Sequence, residues 1–192
     1  MTLIPVRSVA PSEDILTLDE AKAAIPVRHS DDDDLITGYV RAAQGLFDGY
    51  GGVLGRCLVT QTWQARFDCW PSRQLRLPFP NVATAIVSYD DENDSAQTVA
   101  ASDYVLREDH VGSFLWFKDS FAQPTLSDVP GAITVTLTVG YGDASAVPEP
   151  IKQAARELVR LWYWQEDEFS EDGADLPPAI MALIAPFRNV SL

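Results

Sequence analysis

The stretch GAITVTLTVGYGDASAVPEPIKQAARELVRLWYW, residues 131–164, contains the change of period from which the fold follows. Ile133, Val135, Leu137 and Val139 alternate with Thr134, Thr136 and Thr138. That is the period of a half-buried β-strand. After Gly140 and Gly142 the rule changes. Pro150 suits a first helical turn, and Ile151, Ala154, Ala155, Leu158, Leu161 and Trp162 recur at helical spacing as a core-facing stripe. The glycines release the chain between the two elements, so a strand-rich segment ends here and a helical one begins.

Working back toward the N-terminus, the alternation continues. In CLVTQTWQARFD, Val59, Trp63, Ala65 and Phe67 alternate with Thr60, Thr62, Gln64 and Arg66. QLRLPFP, VATAIVSYDDENDSAQTVA, DYVLRED and SFLWFKD read as further strands, with DDENDS as a polar hairpin turn. Residues 57–142 are thus expected to form a mostly antiparallel sheet of about five to seven strands. Before it lie two helices. The first is LTLDEAKAAIP, where Thr17 and Glu20 make a T-x-x-E capping box and Pro26 stops the helix. The second follows the run HSDDDD. Leu35, Tyr39, Ala43 and Leu46 form its main stripe, Ile36, Val40 and Phe47 broaden it, and Gly51 and Gly52 end it. Beyond residue 164, SEDGAD reads as a polar loop and LPPAIMALIAPF as a last short helix between Pro178 and Pro186. The expected class is α+β, with about four helices forming a frame and an antiparallel β module inserted between helices two and three. The corresponding divisions are an extended N-terminal arm (1–15), an N-terminal helical part (16–54), the β module (55–145), and C-terminal helices with a tail (146–192).

Composition excludes several functions. With 46% hydrophobic and 22% charged residues the chain is globular rather than disordered. Its 28 acidic and 14 basic residues give a net charge of -14, which argues against general DNA binding or an anionic membrane partner. An acidic wall would instead let DNA slide past. Cys57 and Cys69 are too few for a disulfide scaffold and are expected to be free thiols. The N-terminus lacks a secretion-signal pattern, and no apolar run reaches the ~20 residues of a membrane span, so a soluble protein made in the cytoplasm is expected.

The aspartate run raises the question of a metal. Ser30 or Asp31 would cap helix two, and carboxylates in the first turn are favoured by the helix dipole at about 0.3–1 kcal/mol each. Successive helical residues point about 100° apart, so four adjacent aspartates cannot converge on one ion. His29 neighbours them, whereas His110 falls in the β module. Neither histidine comes with a G-x-S-x-G elbow, and GYGG (49–52) lacks the G-K-[ST] of a phosphate loop. No catalytic or metal residues and no cofactor are assigned. Of the tryptophans 63, 70, 116, 162 and 164, Trp63 and Trp162 match core periodicity. Tyr163 and Trp164 fall off the main stripe of helix three, and a helix apolar nearly all round is either deeply buried or makes a second interface. The last helix is too short to be stable alone in water and is expected to order on docking.

Four segments then stand in order: LTLDEAKAAIPVRHSDDDDLI, GRCLVTQTWQARFDCWP, PGAITVTLTVGYG, and VPEPIKQAARELVRLWY with LPPAIMALIAPFR. Together they resemble the head–tail connector (adaptor) proteins of long-tailed phages, in the branch that carries a β insertion and is also found in prophages and gene transfer agents. The resemblance spans residue 16 to about residue 188. It implies a structural protein without an active site. It further implies a ring of about twelve copies beneath the portal protein at the head–tail junction of the virion, extending the DNA channel without binding DNA specifically and meeting the next tail or stopper protein. It implies portal docking by the C-terminal segment, here Pro178, Ile180, Leu183, Ile184, Phe187, Arg188 and Leu192, and subunit contacts from the helical frame, where Tyr163 and Trp164 are the candidates. Two other classes compete: a metal-dependent hydrolase using the acidic cluster with His29, and a carbohydrate-binding β module carried on a virion.

Overall fold

A computed structural model describes residues 4–164 and 176–189. The SEDGAD loop and Leu192 lie outside the described residues. The chain divides into two compact units, one β and one helical. Of the described residues, the β unit draws on 4–11, 60–140 and Asn189, the helical unit on 12–59, 141–164 and 176–188.

The helical unit contains α1 (Leu18–Ala24), α2 (Asp33–Phe47), α3 (Glu149–Trp164) and α4 (Pro178–Ile184), the last continuing as a 3-10 turn over Ala185–Phe187. The capping box of α1 is present: the Thr17 hydroxyl accepts from the Glu20 N–H, and the Glu20 carboxylate accepts from the Thr17 N–H. The start of α2 differs from expectation. Its N-cap is Asp32, which makes no side-chain cap hydrogen bond; Ser30 and Asp31 lie outside it. The buried face of α2 is also rotated. It consists of Ile36, Val40, Ala43, Gln44 and Phe47, while Leu35 is 40% exposed. Both stripes are apolar at helical spacing, and the choice between them falls to packing. Burying Gln44 is possible because its Oε1 accepts the Ile15 N–H at 2.9 Å. The helix ends at Phe47, earlier than the Gly51–Gly52 pair. Gly49 takes the left-handed backbone (φ 84°) just after it. Gly52 is needed for a different reason: a Cβ there would lie 2.5 Å from the carbonyl oxygens of Phe47 and Asp48.

α3 buries Ile151, Ala154, Ala155, Leu158 and Val159. Leu161 and Trp162, expected on that stripe, are half-buried. The core also takes in Ile15, Leu16, Ile180 and Ile184. α4 thus already rests in its own chain's core instead of waiting for a partner, because α3 offers it an apolar groove.

The β unit comprises β1 (Val6–Val9), β2 (Gln61–Phe67), β3 (Gln74–Arg76), β4 (Val82–Asp90), β5 (Ala96–Thr98), β6 (Tyr104–Asp109), β7 (Gly112–Phe117) and β8 (Ile133–Val139). The single sheet expected is two: a five-stranded sheet β1-β2-β8-β4-β5 and a three-stranded sheet β3-β7-β6, every pairing antiparallel. The β module does lie between helices two and three. The segment VRSV, expected as part of an extended arm, is the edge strand β1, paired to β2 with Val6 opposite Gln64. In β2, Gln61, Trp63, Ala65 and Phe67 are buried; in β8, Ile133, Val135, Leu137 and Val139. The alternate residues form the sheet's outer face in three rows, beyond which Asp90 of β4 continues it opposite Ala96 of β5. Val9, Thr62, Thr138 and Thr84 make the first, Val6, Gln64, Thr136 and Ile86 the second, and Arg66, Thr134, Ser88 and Thr98 the third.

Candidate interaction surfaces

The aspartate run does not converge. Asp33 accepts from the Lys22 ammonium at 2.6 Å, tying the start of α2 to α1. Asp32 accepts from the Tyr163 hydroxyl at 2.7 Å, tying it to the end of α3. Asp31 and Asp34 face water. The His29 ring stands 3.7 Å from Asp32 and 4.0 Å from Asp31, and half of it is exposed. Among the described residues no group of three or more His, Cys, Asp or Glu is placed to hold a metal ion. Cys57 is buried and Cys69 exposed, and neither is in a disulfide.

Sequence reasoning missed the strongest ionic feature of the helical unit. Lys152 sits on the buried side of α3, 8% exposed, and its Nζ donates to Glu20 of α1 at 2.9 Å. Arg156 also reaches Glu20, at 3.4 Å, and pairs with Glu149. Burial opposes ionisation of Glu20, but the Thr17 N–H and the Lys152 ammonium outweigh it and bring its pKa from 4.5 to about 2. One carboxylate therefore closes the N-terminus of α1 and fastens α1 to α3. A lysine among apolar helix positions was the available signal.

Between α3 and α4 runs an apolar groove of about 420 Å³, lined by Leu161, Trp164, Pro177, Ala179, Ile180 and Leu183, with Glu157 and Arg160 on its rim. Trp164 is 64% exposed there. Tyr163 is half-buried, with its ring edge-on to Trp164 at 5.3 Å. Of the C-terminal residues singled out from sequence, Ile180 and Ile184 are in the chain's own core, Leu183 and Phe187 are half-buried, and Pro178 and Arg188 are exposed. The structure thus gathers this segment along one side of α3 but leaves only part of it free for contact.

In the β unit the tryptophans serve different surroundings. Trp63 is buried against Phe79 at 5.0 Å. Trp70 joins Tyr89, Phe117 and Phe121 in an edge-to-face cluster. Trp116 is 39% exposed, with the Arg73 guanidinium over its ring. On the three-stranded sheet, Arg76 holds the Asp109 carboxyl well below the usual carboxylate range through a two-pronged hydrogen bond.

No family model matches the chain, and no curated protein matches it. Solved structures do. A chain in the neck of an empty gene transfer agent particle, computed with C6 symmetry, superposes with a TM-score of 0.79 at 22% identity, covering 99% of this chain and 97% of that one. The fold is that of a gene transfer agent neck chain. A chain in the virion of a native gene transfer agent particle shares it, with a TM-score of 0.76 at 21% identity and the same coverage. So does a chain in the neck of a native particle computed with C12 symmetry, with a TM-score of 0.71 at 20% identity. The match to the neck-chain fold runs through both units, and it agrees with the sequence resemblance to head–tail connectors.

Proposed function

We propose that this chain is a structural head–tail adaptor of a tailed phage or phage-like particle. About twelve copies form a ring beneath the portal protein, extend the DNA channel and present a platform to the next tail or stopper protein. The observation that carries this reading is the likeness to neck chains over 99% of the sequence, helices and β insertion together. A match confined to the β unit would have fitted many sandwich-like proteins. The -14 charge supports a channel that DNA traverses without sticking. The chain is a scaffold rather than an enzyme: the carboxylates of its acidic cluster that could have formed a site are engaged in joining helices.

Portal docking falls to the exposed side of the C-terminal segment, Pro178, Leu183, Phe187 and Arg188, with Leu192 beyond. Ile180 and Ile184 anchor that segment to its own chain. Trp164, beside Tyr163, faces a neighbouring subunit. The test is electron microscopy of assembled particles with this subunit located. A ring directly under the portal is the expected result; density for the chain in the capsid shell or the distal tail, or its absence from particles, refutes the reading. Phe187→Ala with Arg188→Ala should leave the fold intact and lower its occupancy on portal-bearing heads.

A further inference from the structure

We propose that the open edge of β6 receives an extended segment of a partner protein, which adds a strand to the three-stranded sheet and sets a carboxylate beside Arg107. β6 stands at the end of the order β3-β7-β6, so only one side of its main chain is paired among the described residues. It has six residues, against four, three and three in the other edge strands β1, β3 and β5. Its register with β7 runs from Tyr104 to Asp109 without a bulge, whereas that of β1 with β2 shifts between Arg7 and Val9. Short or bulged edges resist further pairing, and a longer regular edge is a template for it. One end is fixed by Tyr104, whose hydroxyl donates to the Ala85 carbonyl at 3.0 Å; the rest passes from half-buried at Val105 to exposed at Arg107–Asp109. The core beside the edge is also incomplete. On β7 the core-facing Ser113, Leu115 and Phe117 are buried, but Leu106, opposite Leu115, is only half-buried. An added strand would cover it.

The occupant follows from what the charges along this strand already do. On the outer face of the sheet Arg107 stands opposite Phe114, and Arg76 lies over the same ring from β3. Arg76 is engaged by Asp109 through both of its terminal nitrogens. Glu108, on the other face, accepts the Asn81 N–H. Asp103, just before the strand, adjoins Lys118, whose N–H its carbonyl accepts. Arg107 is exposed and has no carboxylate partner among the described residues. A carboxylate on the incoming strand is its complement, as opposite charges on neighbouring strands attract. Nucleic acid fits the edge less well. One unengaged guanidinium neutralises little of a phosphate backbone, whereas a row of main-chain N–H and C=O groups is matched by another peptide chain. The main chain then supplies the affinity, and Arg107 and Leu106 select an acidic and an apolar side chain on alternate positions.

The test uses the purified full chain, isotope-labelled for NMR, whereas the neck reading is tested in the particle, so either can fail alone. The probe is a peptide of about seven residues in which valine and glutamate alternate. It should shift the amide signals of β6 with a dissociation constant on the order of 0.1–1 mM. The same peptide with lysine for glutamate should bind about tenfold more weakly. Arg107→Glu should reverse that preference and Arg107→Lys should keep it, with melting unchanged because the side chain is exposed. An N-methylated glutamate peptide, which lacks main-chain donors, should not bind. No shift in β6 at about 5 mM peptide overturns the proposal. So do shifts centred elsewhere, equal binding of the two peptides, or indifference to Arg107→Glu. A short oligothymidylate that moves the same signals assigns the edge to nucleic acid, and their loss on raising the protein concentration alone assigns it to a second copy; either result also overturns it.

Discussion

Replacing Lys152 with methionine tests the ionic fastening of α1 to α3. Methionine keeps the length and apolar stem, so the change removes the charge and little packing. The lowering of the Glu20 pKa from 4.5 to about 2 would correspond to at most about 3 kcal/mol for a sequestered group. A third of the Glu20 side chain meets water, and screening reduces this to about 1–2 kcal/mol. Glu20 also keeps its Thr17 and Arg156 partners in the variant, which limits the loss further. With the loss thus brought to about 1 kcal/mol, a chain of this size should melt about 2–4 °C lower. The sign of the pH effect is fixed. Glu20 has a depressed folded-state pKa, so its stabilisation is complete above pH 4.5 and disappears as pH falls toward 2. Melting curves from pH 7 to pH 2 should show Lys152→Met and the parent converging at the acid end. Equal stability at pH 7, or a constant gap at every pH, would refute the assignment of Glu20 and Lys152 as the joint.

Three further substitutions follow from the same geometry. Gly52→Ala should destabilise by about 1–3 kcal/mol in chemical denaturation because its Cβ meets two backbone oxygens at 2.5 Å, while Gly51→Ala, with nothing within 4 Å, should stay within about 0.5 kcal/mol of the parent. Ile184→Ala opens a cavity at a fully buried site and should cost about 2–5 kcal/mol by the same measurement, whereas Ala182→Glu on the exposed side of α4 should be close to neutral. Tyr163→Phe removes the bond to Asp32 and should cost about 0.5–1.5 kcal/mol, and Asp32→Asn on top of it should add little, which a double-mutant cycle reads directly.

What could be read from the sequence was whatever is local. The capping box needs only Thr17 and Glu20, three residues apart, and the alternation of β8 is complete within seven residues. The order helix, β module, helix follows from such signals. Sheet pairing does not. β2 lies beside β8, with Gln61 opposite Val139, and nothing within either strand names the other. The division into two sheets was therefore hidden, as was β1, whose four residues have no alternation and acquire their place from β2. The rotation of α2 was hidden for another reason. Leu35 and Ile36 are both apolar, and only packing in the core decides between the two faces, with Gln44 inside accepting the Ile15 N–H. Nothing in the sequence marks Lys152 as buried, because lysine usually is not; its partner lies 132 residues away. Among the candidate docking residues, the sequence pattern does not separate Ile180 and Ile184, turned inward, from Arg188, turned out.

The acidic start of α2 shows how these levels combine. Four adjacent carboxylates repel one another, and the helix dipole offsets only part of that cost. The side chains resolve the rest by diverging: Asp33 to a lysine of α1, Asp32 to a tyrosine of α3, Asp31 and Asp34 to water. Divergence keeps these carboxylates apart, and it ties one helix end to two neighbours. The Glu20–Lys152–Arg156–Glu149 group does the same at the other end of α1 and α3. The ionic groups of the helical unit are thus spent on fixing helices against each other, while the side chains left facing outward at its edge, Trp164, Pro178 and Arg188, are those suited to contact with another chain.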